Sequence, residues 1–365
     1  MKIVHVLESL QMGGMERLVA DLAETQKVRG HDVCVYTIST SGPLEDRLKK
    51  AGVPVFNCHK KRGFDAGCIR TLKKKFAEKR FEIVHTHNGL ANVYAAVAAK
   101  LSGIKKVINT RHGSVDPRQK SLWLWKVSFL FTNRIVFVCK KAKDEFDGLK
   151  MARRKKGLVI YNGINVRDWT EIPVDGRDSI VRDFKLAPET KIIGVICRLD
   201  LLKDIDTLIT AFEIVQRDNP NIVLFIVGDG SQKSRLQEMV KTLRLTEKVV
   251  FPGERKDVKP FLAAMDIFVL PSLAEGISIA LLEAMAFKRP IITTNVGGTP
   301  ELITDEAQGR LISAKDPQTL ATCIKEYLAN PSLAAMLGEN AHQRVVSHFT
   351  TERMADDYER LYREN

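Results

Sequence analysis

Two glutamates eight residues apart carry the most informative chemistry in this sequence. They are Glu275 and Glu283, in a run that begins Pro271-Ser272-Leu273-Ala274-Glu275-Gly276-Ile277-Ser278-Ile279 and continues through Leu281, Leu282, Ala284 and Met285. The apolar residues before Pro271 read as a strand, the glycine-containing stretch as a loop, and the residues from Ile279 as a helix. Ligands of open α/β sheets bind at the carboxyl ends of strands, and a helix N-terminus offers free N–H groups to oxygen ligands. Two carboxylates so placed, one in the loop and one a turn into the helix, can accept hydrogen bonds from two sets of hydroxyls, such as those of a sugar and a ribose. Glu283 sits among apolar neighbours, a poor setting for an idle charge.

Other chemistry-bearing residues follow the same pattern of strand end and turn. Arg198 and Lys203 come just after the apolar run Ile192–Cys197. Two cations there would stabilise the negative charge that develops on a departing diphosphate. Gly13-Gly14 falls at the first strand-to-helix turn, where a missing Cβ lets the backbone approach a phosphate. No G-x-G-x-x-G is present at that turn, which argues against a dinucleotide dehydrogenase. His112 follows the run Lys106–Thr110, while His85 and His87 bracket Thr86 without a third metal ligand nearby in sequence and read as structural. Asp204-Ile205-Asp206 matches a metal-binding D-x-D, but Asp206 reads better as the N-cap of a helix beginning at Thr207.

The elements that position these residues come in two alternating series. In the first half, strands are expected at Lys2–Leu7, Asp32–Ile38, Val53–Asn57, Ile83–His87, Lys106–Thr110, Arg134–Val138 and Gly157–Tyr161. Helical segments at Met15–Arg29, Gly67–Arg80 and Leu90–Leu101 lie between them. In the second, strands are expected at Ile192–Cys197, Ile222–Val227, Val249–Phe251, Ile267–Leu270, Pro290–Thr293 and Gly309–Ile312. The helices expected there are Asp206–Arg217, Gln232–Leu243, Lys256–Ala264, Ile279–Phe287 and Pro317–Leu328. Continuous apolar strands alternating with helices imply α/β architecture with two doubly wound, Rossmann-like sheets. The expected domains are residues 1–168 and 169–349, with a hinge near Val166–Arg177. A tail helix over 350–365, with Met354, Tyr358 and Leu361 at helical spacing, is expected to pack back on the first domain.

In order and separation, the motifs resemble those of the retaining nucleotide-sugar glycosyltransferases of family 4, over nearly the whole chain. They are Gly13-Gly14-Met15-Glu16, His85-Thr86-His87-Asn88, Arg111-His112-Gly113, Asn162-Gly163-Ile164-Asn165, Arg198 with Lys203, Gly228-Asp229-Gly230, Glu275 with Glu283, and Gly297-Gly298-Thr299-Pro300-Glu301. The resemblance implies the GT-B fold, two Rossmann-like domains facing a central cleft, with the acceptor on the first and the donor on the second. It implies catalytic roles for His112, Glu275, Arg198 and Lys203, with His112 reaching the donor sugar. Gly13, Gly14, Gly228, Glu254, Gly276, Ile277, Ser278, Ile279 and Glu283 join Arg198, Lys203 and Glu275 as its donor-binding residues. The implied reaction moves a hexose or N-acetylhexosamine, with retention, from a UDP- or GDP-linked donor to a glycan or lipid-linked acceptor, needing no metal or other cofactor. Cell-surface polysaccharide or glycolipid synthesis is the expected setting. The alternatives are a sugar phosphorylase or nucleotide-sugar epimerase on the same fold, or a donor-binding subunit without catalysis. Cys197, Asp204 and Lys288 stand where the family usually has glycine.

Composition bounds the setting. The chain has 365 residues, 44% of them hydrophobic, and six cysteines with no C-x-x-C, which fits reduced thiols in a cytoplasm. Through residue 168 there are 33 Lys+Arg against 15 Asp+Glu, and afterwards 24 against 29. The first domain is therefore expected to meet an anionic membrane surface, through Lys73, Lys74 and Lys75 and the one-faced apolar set Ile69, Leu72 and Phe76. The run from Trp123 to Phe131 reads first as core packing and second as a place where the chain could dip into a bilayer. No nucleic-acid-reading element accompanies the charge.

Overall fold

A computed structural model of the chain describes residues 1–113, 122–150, 156–170 and 175–364. The basic cluster at Arg153, Arg154 and Lys155 and part of the expected hinge lie outside the described residues. The chain divides into two units, Met1–Ile164 with Thr350–Asn365, and Asn165–Phe349. The division thus falls after Ile164 rather than after residue 168, and helix 166–170 goes with the second unit.

The first unit opens with β1 (Lys2–Leu7), α1 (Gly14–Val28), β2 (Asp32–Thr37), α2 (Leu44–Lys50), β3 (Val55–Asn57), α3 (Ala66–Lys79) and β4 (Ile83–His87). It continues through α4 (Asn88–Leu101), β5 (Lys106–Arg111), α5 (Leu122–Ser128), β6 (Arg134–Phe137), α6 (Lys140–Gly148) and β7 (Gly157–Val159). The second unit opens with α7 (Val166–Thr170), α8 (Gly176–Asp183), β8 (Lys191–Ile196), α9 (Ile205–Gln216), β9 (Ile222–Val227), α10 (Lys233–Thr242) and β10 (Val249–Gly253). There follow α11 (Lys259–Ala264), β11 (Ile267–Leu270), α12 (Ile279–Ala286), β12 (Ile291–Thr294), α13 (Thr299–Leu302) and β13 (Arg310–Ile312). Helices α14 (Pro317–Ala329) and α15 (Pro331–His348) close that unit, and α16 (Thr351–Arg363) returns to the first.

Both sheets are parallel, in the orders β3-β2-β1-β4-β5-β6-β7 and β10-β9-β8-β11-β12-β13. Their strands are continuous apolar runs because helices cover both faces, so Ile3, Val4, Val6 and Leu7 of β1 are all fully buried. In each sheet the order reverses beside the first strand of the unit, which opens a crevice at the carboxyl ends of the strands. Helix starts carry side-chain caps where the sequence supplies them: Asp65 for α3, Ser278 for α12, Asp316 for α14, Asn330 for α15 and Thr350 for α16.

Two expectations change, and a third divides between its two readings. Asp206 does not cap α9; it lies inside the first turn, bound by Arg235 Nη2 at 2.7 Å, and Asp204 holds the cap position in a left-handed conformation. Leu72 and Phe76 of α3 are fully buried in the core, so that apolar face is closed to a membrane although Lys73 and Lys74 are exposed. In the Trp123–Phe131 run, Trp125 and Phe129 are core, whereas Trp123, Val127 and Leu130 are exposed. Among the described residues, no helix is long and apolar enough to cross a membrane.

Helix α16 is bound to the first unit by charge and by packing. Arg29 at the end of α1 pairs with Asp356 at 2.7 Å and Glu359 at 3.1 Å, and donates to the Glu352 carbonyl. Tyr358 and Tyr362 are fully buried beside His85.

Candidate active site

At the carboxyl edge of the second sheet, backbone turns are locked together at distances only glycine allows. A Cβ on Gly228 would stand 1.9 Å from the Cys197 carbonyl oxygen, and one on Gly297, at φ +54°, 1.8 Å from that of Glu275. The Gly298 N–H donates to the Gly276 carbonyl at 3.2 Å, and the Leu273 N–H to the Leu202 carbonyl at 2.7 Å. These contacts fix the loops after β8, β9, β11 and β12 against one another, so side chains from distant stretches share one rim.

On that rim Lys203 Nζ stands 2.6 Å from Glu275 Oε1, which also accepts from the Ser272 hydroxyl at 2.6 Å. Only 9% of the Glu275 side chain and 20% of the Lys203 side chain is exposed, so this pair is held far better than a surface ion pair. Arg198 is much more open, at 79%, and binds Asp200 at 2.9 Å. Asp200 in turn caps the short turn 201–203 through the Leu202 N–H, which sets the direction of Lys203. Both expected diphosphate cations are thus matched by carboxylates, one tightly and one loosely.

Glu283 is nearly fully buried in α12, and Ser278 caps that helix through the Leu281 N–H. The first-turn amides of Ile279 and Ala280 have no acceptor within the helix, as at any helix start. Ile277 is buried under the turn, and Glu254 is exposed beyond β10 beside Gly253, whose carbonyl accepts from Gly228.

The three residues standing for the family's glycines have distinct accounts. Asp204 and Lys288 adopt φ of +47° and +57°, the left-handed region that favours glycine. The Asp204 carboxylate accepts from the Thr207 hydroxyl at 2.7 Å, and burial pushes its pKa up. Lys288 ends α12 and pairs with Glu339 at 2.9 Å. Burial pushes the Cys197 thiol up to about 12, so it stays a neutral thiol.

In the first unit, the β1–β4 register sets His5 opposite His85, with His87 two residues on along the same face. The Gln26 amide oxygen faces His5 Nε2 at 2.8 Å, so that nitrogen carries the proton. His5 Nδ1 is then a lone pair, which accepts from His87 Nε2 at 3.1 Å; His87 Nδ1 likewise accepts from His112 Nε2 at 3.0 Å. The chain of donors leaves His112 Nδ1 bare and without a partner among the described residues. A second branch runs from His85 Nδ1 to the Tyr362 hydroxyl at 2.6 Å and from His85 Nε2 to Thr110 at 2.7 Å. His5, His85 and His87 are close enough to hold a metal ion, but all six of their ring nitrogens are engaged in these hydrogen bonds.

Burial holds the relay neutral. It pulls His5 down to about 4, and pulls His112 down to about 3 with help from the Arg111 charge. His85 and His87 are held well below the usual imidazole range by burial and by their histidine neighbours. His112 therefore presents a fixed hydrogen-bond acceptor at the sheet's carboxyl edge. Asn88, at φ +65°, steadies it: its side-chain oxygen accepts from the His112 N–H at 3.2 Å and its amide donates to Met15 Sδ at 3.0 Å. That joins His112 to the Gly13-Gly14 turn, where the Glu16 carboxylate stands 2.2 Å from where a Gly13 Cβ would be.

Sequence reasoning missed Ser272, Asp200, Asn88, His5 and Gln26 as supports. His5, His85 and His87 did carry a signal, because they fall on alternate positions of adjacent strands. Ser272 and Asp200 had none beyond nearness to a motif.

Comparisons with known proteins agree with this geometry. Residues 12–168 match the family Glycosyltransferase Family 4, and residues 176–344 match Glycosyl transferases group 1. The chain is 25% identical to the UDP-Gal:alpha-D-GlcNAc-diphosphoundecaprenol alpha-1,3-galactosyltransferase of Escherichia coli, covering 99% of this chain and 96% of that one. It is 25% identical to the N-acetyl-alpha-D-glucosaminyl L-malate synthase of Bacillus anthracis, covering 96% and 94%. Among solved structures it resembles Anabaena HepE in complex with UDP-glucose, with a TM-score of 0.88 at 21% identity over 99% of both chains. With the WaaG glycosyltransferase involved in lipopolysaccharide biosynthesis the TM-score is 0.75 at 20% identity, over 97% and 99%. Two parallel-sheet Rossmann-like units, the rim of glycine-locked loops and both family matches together place the chain in the group 1 glycosyltransferases, with the GT-B fold.

Proposed function

We propose that this enzyme transfers a hexose or N-acetylhexosamine from a UDP-linked donor to a lipid-linked glycan acceptor, with retention of anomeric configuration. The observation that carries the reading is the Lys203–Glu275 pair, a cation and a carboxylate preset on one rim at 2.6 Å. A donor diphosphate draws Lys203 and the exposed Arg198 to itself, and Glu275 is then freed to accept hydroxyls of the sugar. The C1–O bond to the diphosphate breaks with its electron pair passing to phosphate oxygen, where the two cations offset the new charge. The acceptor oxygen bonds to C1 and gives up its proton to that leaving oxygen. Glu283 binds the ribose, and His112 Nδ1 accepts from a sugar hydroxyl. Fixed cations and the α12 N-terminus do the work a metal would do, and Asp204 and Asp206 are already engaged with Thr207 and Arg235.

The lipid-linked acceptor is supported by the Escherichia coli relative, a galactosyltransferase acting on alpha-D-GlcNAc-diphosphoundecaprenol. It is supported also by the exposed Trp123, Val127 and Leu130 beside Lys126 in a strongly basic unit, a surface suited to an anionic bilayer. A panel of UDP, GDP and ADP sugars, read by release of the free nucleoside diphosphate with and without EDTA, tests the reading. Release from a UDP sugar that survives EDTA is expected. Formation of an epimer or of a sugar phosphate instead would move the enzyme to the epimerases or phosphorylases, and binding without release would leave a donor-binding subunit.

A further inference from the structure

Arg111 ends β5 only 4% exposed, yet among the described residues no carboxylate meets it. Its Nε and Nη1 are buried and have no hydrogen-bond partner among the described residues. The largely buried Arg289 differs, because it donates to the main-chain carbonyls of Phe287, Ala263 and Met265. A buried guanidinium with unpaired N–H groups is costly, and buried charges are as a rule paired. What holds Arg111 is the face of Trp125, whose ring centroid lies 4.5 Å from the guanidinium carbon. That ring is itself seated by a glycine: a Cβ on Gly89 would stand 2.3 Å from it. The arrangement fixes the plane of the guanidinium and leaves two nitrogens free to donate, as an anion site requires.

We propose that Arg111 is an anion site that takes a phosphate or diphosphate ester of the acceptor, the acceptor part resting on the transferase reading above. Arg111 directly precedes His112 at the same strand end. Its platform Trp125 belongs to α5, the helix that exposes Trp123 and Val127. One short helix thus links a buried cation to an apolar exterior, which matches a ligand that carries phosphate at one end and hydrocarbon at the other. Burial pulls the guanidinium down to about 10, still charged at neutral pH.

The probe is inorganic pyrophosphate, titrated calorimetrically into the full chain carrying Arg198→Ala and Lys203→Ala, so that the donor cations do not contribute. Adding Arg111→Met should weaken binding by about tenfold or more, the worth of one charged hydrogen bond, and Arg111→Lys should weaken it less. In phosphate-free buffer, Arg111→Met should melt no lower than its parent, since a flexible apolar side chain replaces a buried unpaired charge. Equal pyrophosphate binding with and without Arg111→Met overturns the site, as does a lower melting temperature with binding retained. Should Arg111→Met fail to fold, Arg111→Lys decides alone, and binding equal to the parent overturns the site.

Co-sedimentation with phosphatidylcholine vesicles, with and without polyprenyl phosphate, separates the two sources of the anion. An Arg111-dependent preference for the phosphate-bearing vesicles assigns it to a lipid, and pyrophosphate binding without that preference assigns it to a soluble phosphate ester. If Arg111-dependent binding persists but no nucleotide sugar is consumed, the site stands and the transferase reading falls; the reverse pattern removes the site alone.

Discussion

Acidifying the protein from about pH 6.5 to about pH 4.5 should destabilise the first unit through its histidine relay. The unfolded chain takes up the His5 proton near 6.5, and the folded chain not until about 4. Between those values the unfolded state binds more protons, so stability falls as pH falls. Worked at about pH 4.5, His5 alone contributes a loss of roughly 2–3 kcal/mol, and His112, held to about 3, adds one of similar order. The relay shares its protons, so the two losses couple rather than add. Carboxylates held below their ordinary range, such as Asp206 and Asp316, act at lower pH and leave this window to the histidines. Urea unfolding followed by tryptophan emission reports the effect, because Trp125 is buried in the first unit and Trp169 belongs to the second. Gln26→Glu supplies a control. A carboxylate 2.8 Å from His5 Nε2 favours the charged ring and raises its folded value, which flattens the slope. Unfolding free energy that stays level across the window in the parent, or an equally steep slope in Gln26→Glu, refutes the relay as drawn.

Three further outcomes follow from the second unit. Lys203→Ala should cost roughly 2–4 kcal/mol in kcat/KM, and near-normal turnover would remove Lys203 from the leaving-group site. Glu283→Gln should weaken free nucleoside diphosphate in a calorimeter while Glu275→Gln mainly lowers kcat; matched losses of nucleotide affinity would contradict the division. Gly297→Ala, forced to hold φ +54° with its methyl 1.8 Å from the Glu275 carbonyl oxygen, should destabilise the second unit by roughly 1–3 kcal/mol or more, and an unchanged urea midpoint would count against the locked rim.

Strands were the most legible elements, because a sheet covered on both faces leaves an apolar run whose ends are set by polar residues. All thirteen strands of the described residues lie at the expected stretches, within a residue or two at most ends. Helix α15 was not foreseen. Its Gly338 resembles a breaker, but the structure uses that glycine for close packing, with a Cβ there only 2.3 Å from the Lys288 carbonyl oxygen. Helix α6 buries just Ala142 and Phe146 among charged residues, too little to show a periodic face. At the site, residue types and spacing pointed to the rim but not to its pairing. That Lys203 meets Glu275, or that Asp206 answers Arg235, depends on loop paths fixed by tertiary contacts. Arg111 was visible in its motif, yet only its burial and its unmatched donors single it out.

Helix α16 gives the order of synthesis a structural meaning. The second unit is encoded wholly between the parts of the first, so residues 1–164 leave the ribosome before the tyrosines that complete their core exist. At about 5–20 residues per second, the wait for Tyr358 and Tyr362 is on the order of 10–40 seconds. Over that interval His85 lacks the Tyr362 hydroxyl and Arg29 its acidic partners, and the seats of both tyrosines stay uncovered. The second unit, continuous in sequence, has no such wait. Loss of the last helix would therefore injure the half of the enzyme farthest from it in the gene, and supplying that helix as a separate peptide should mend it.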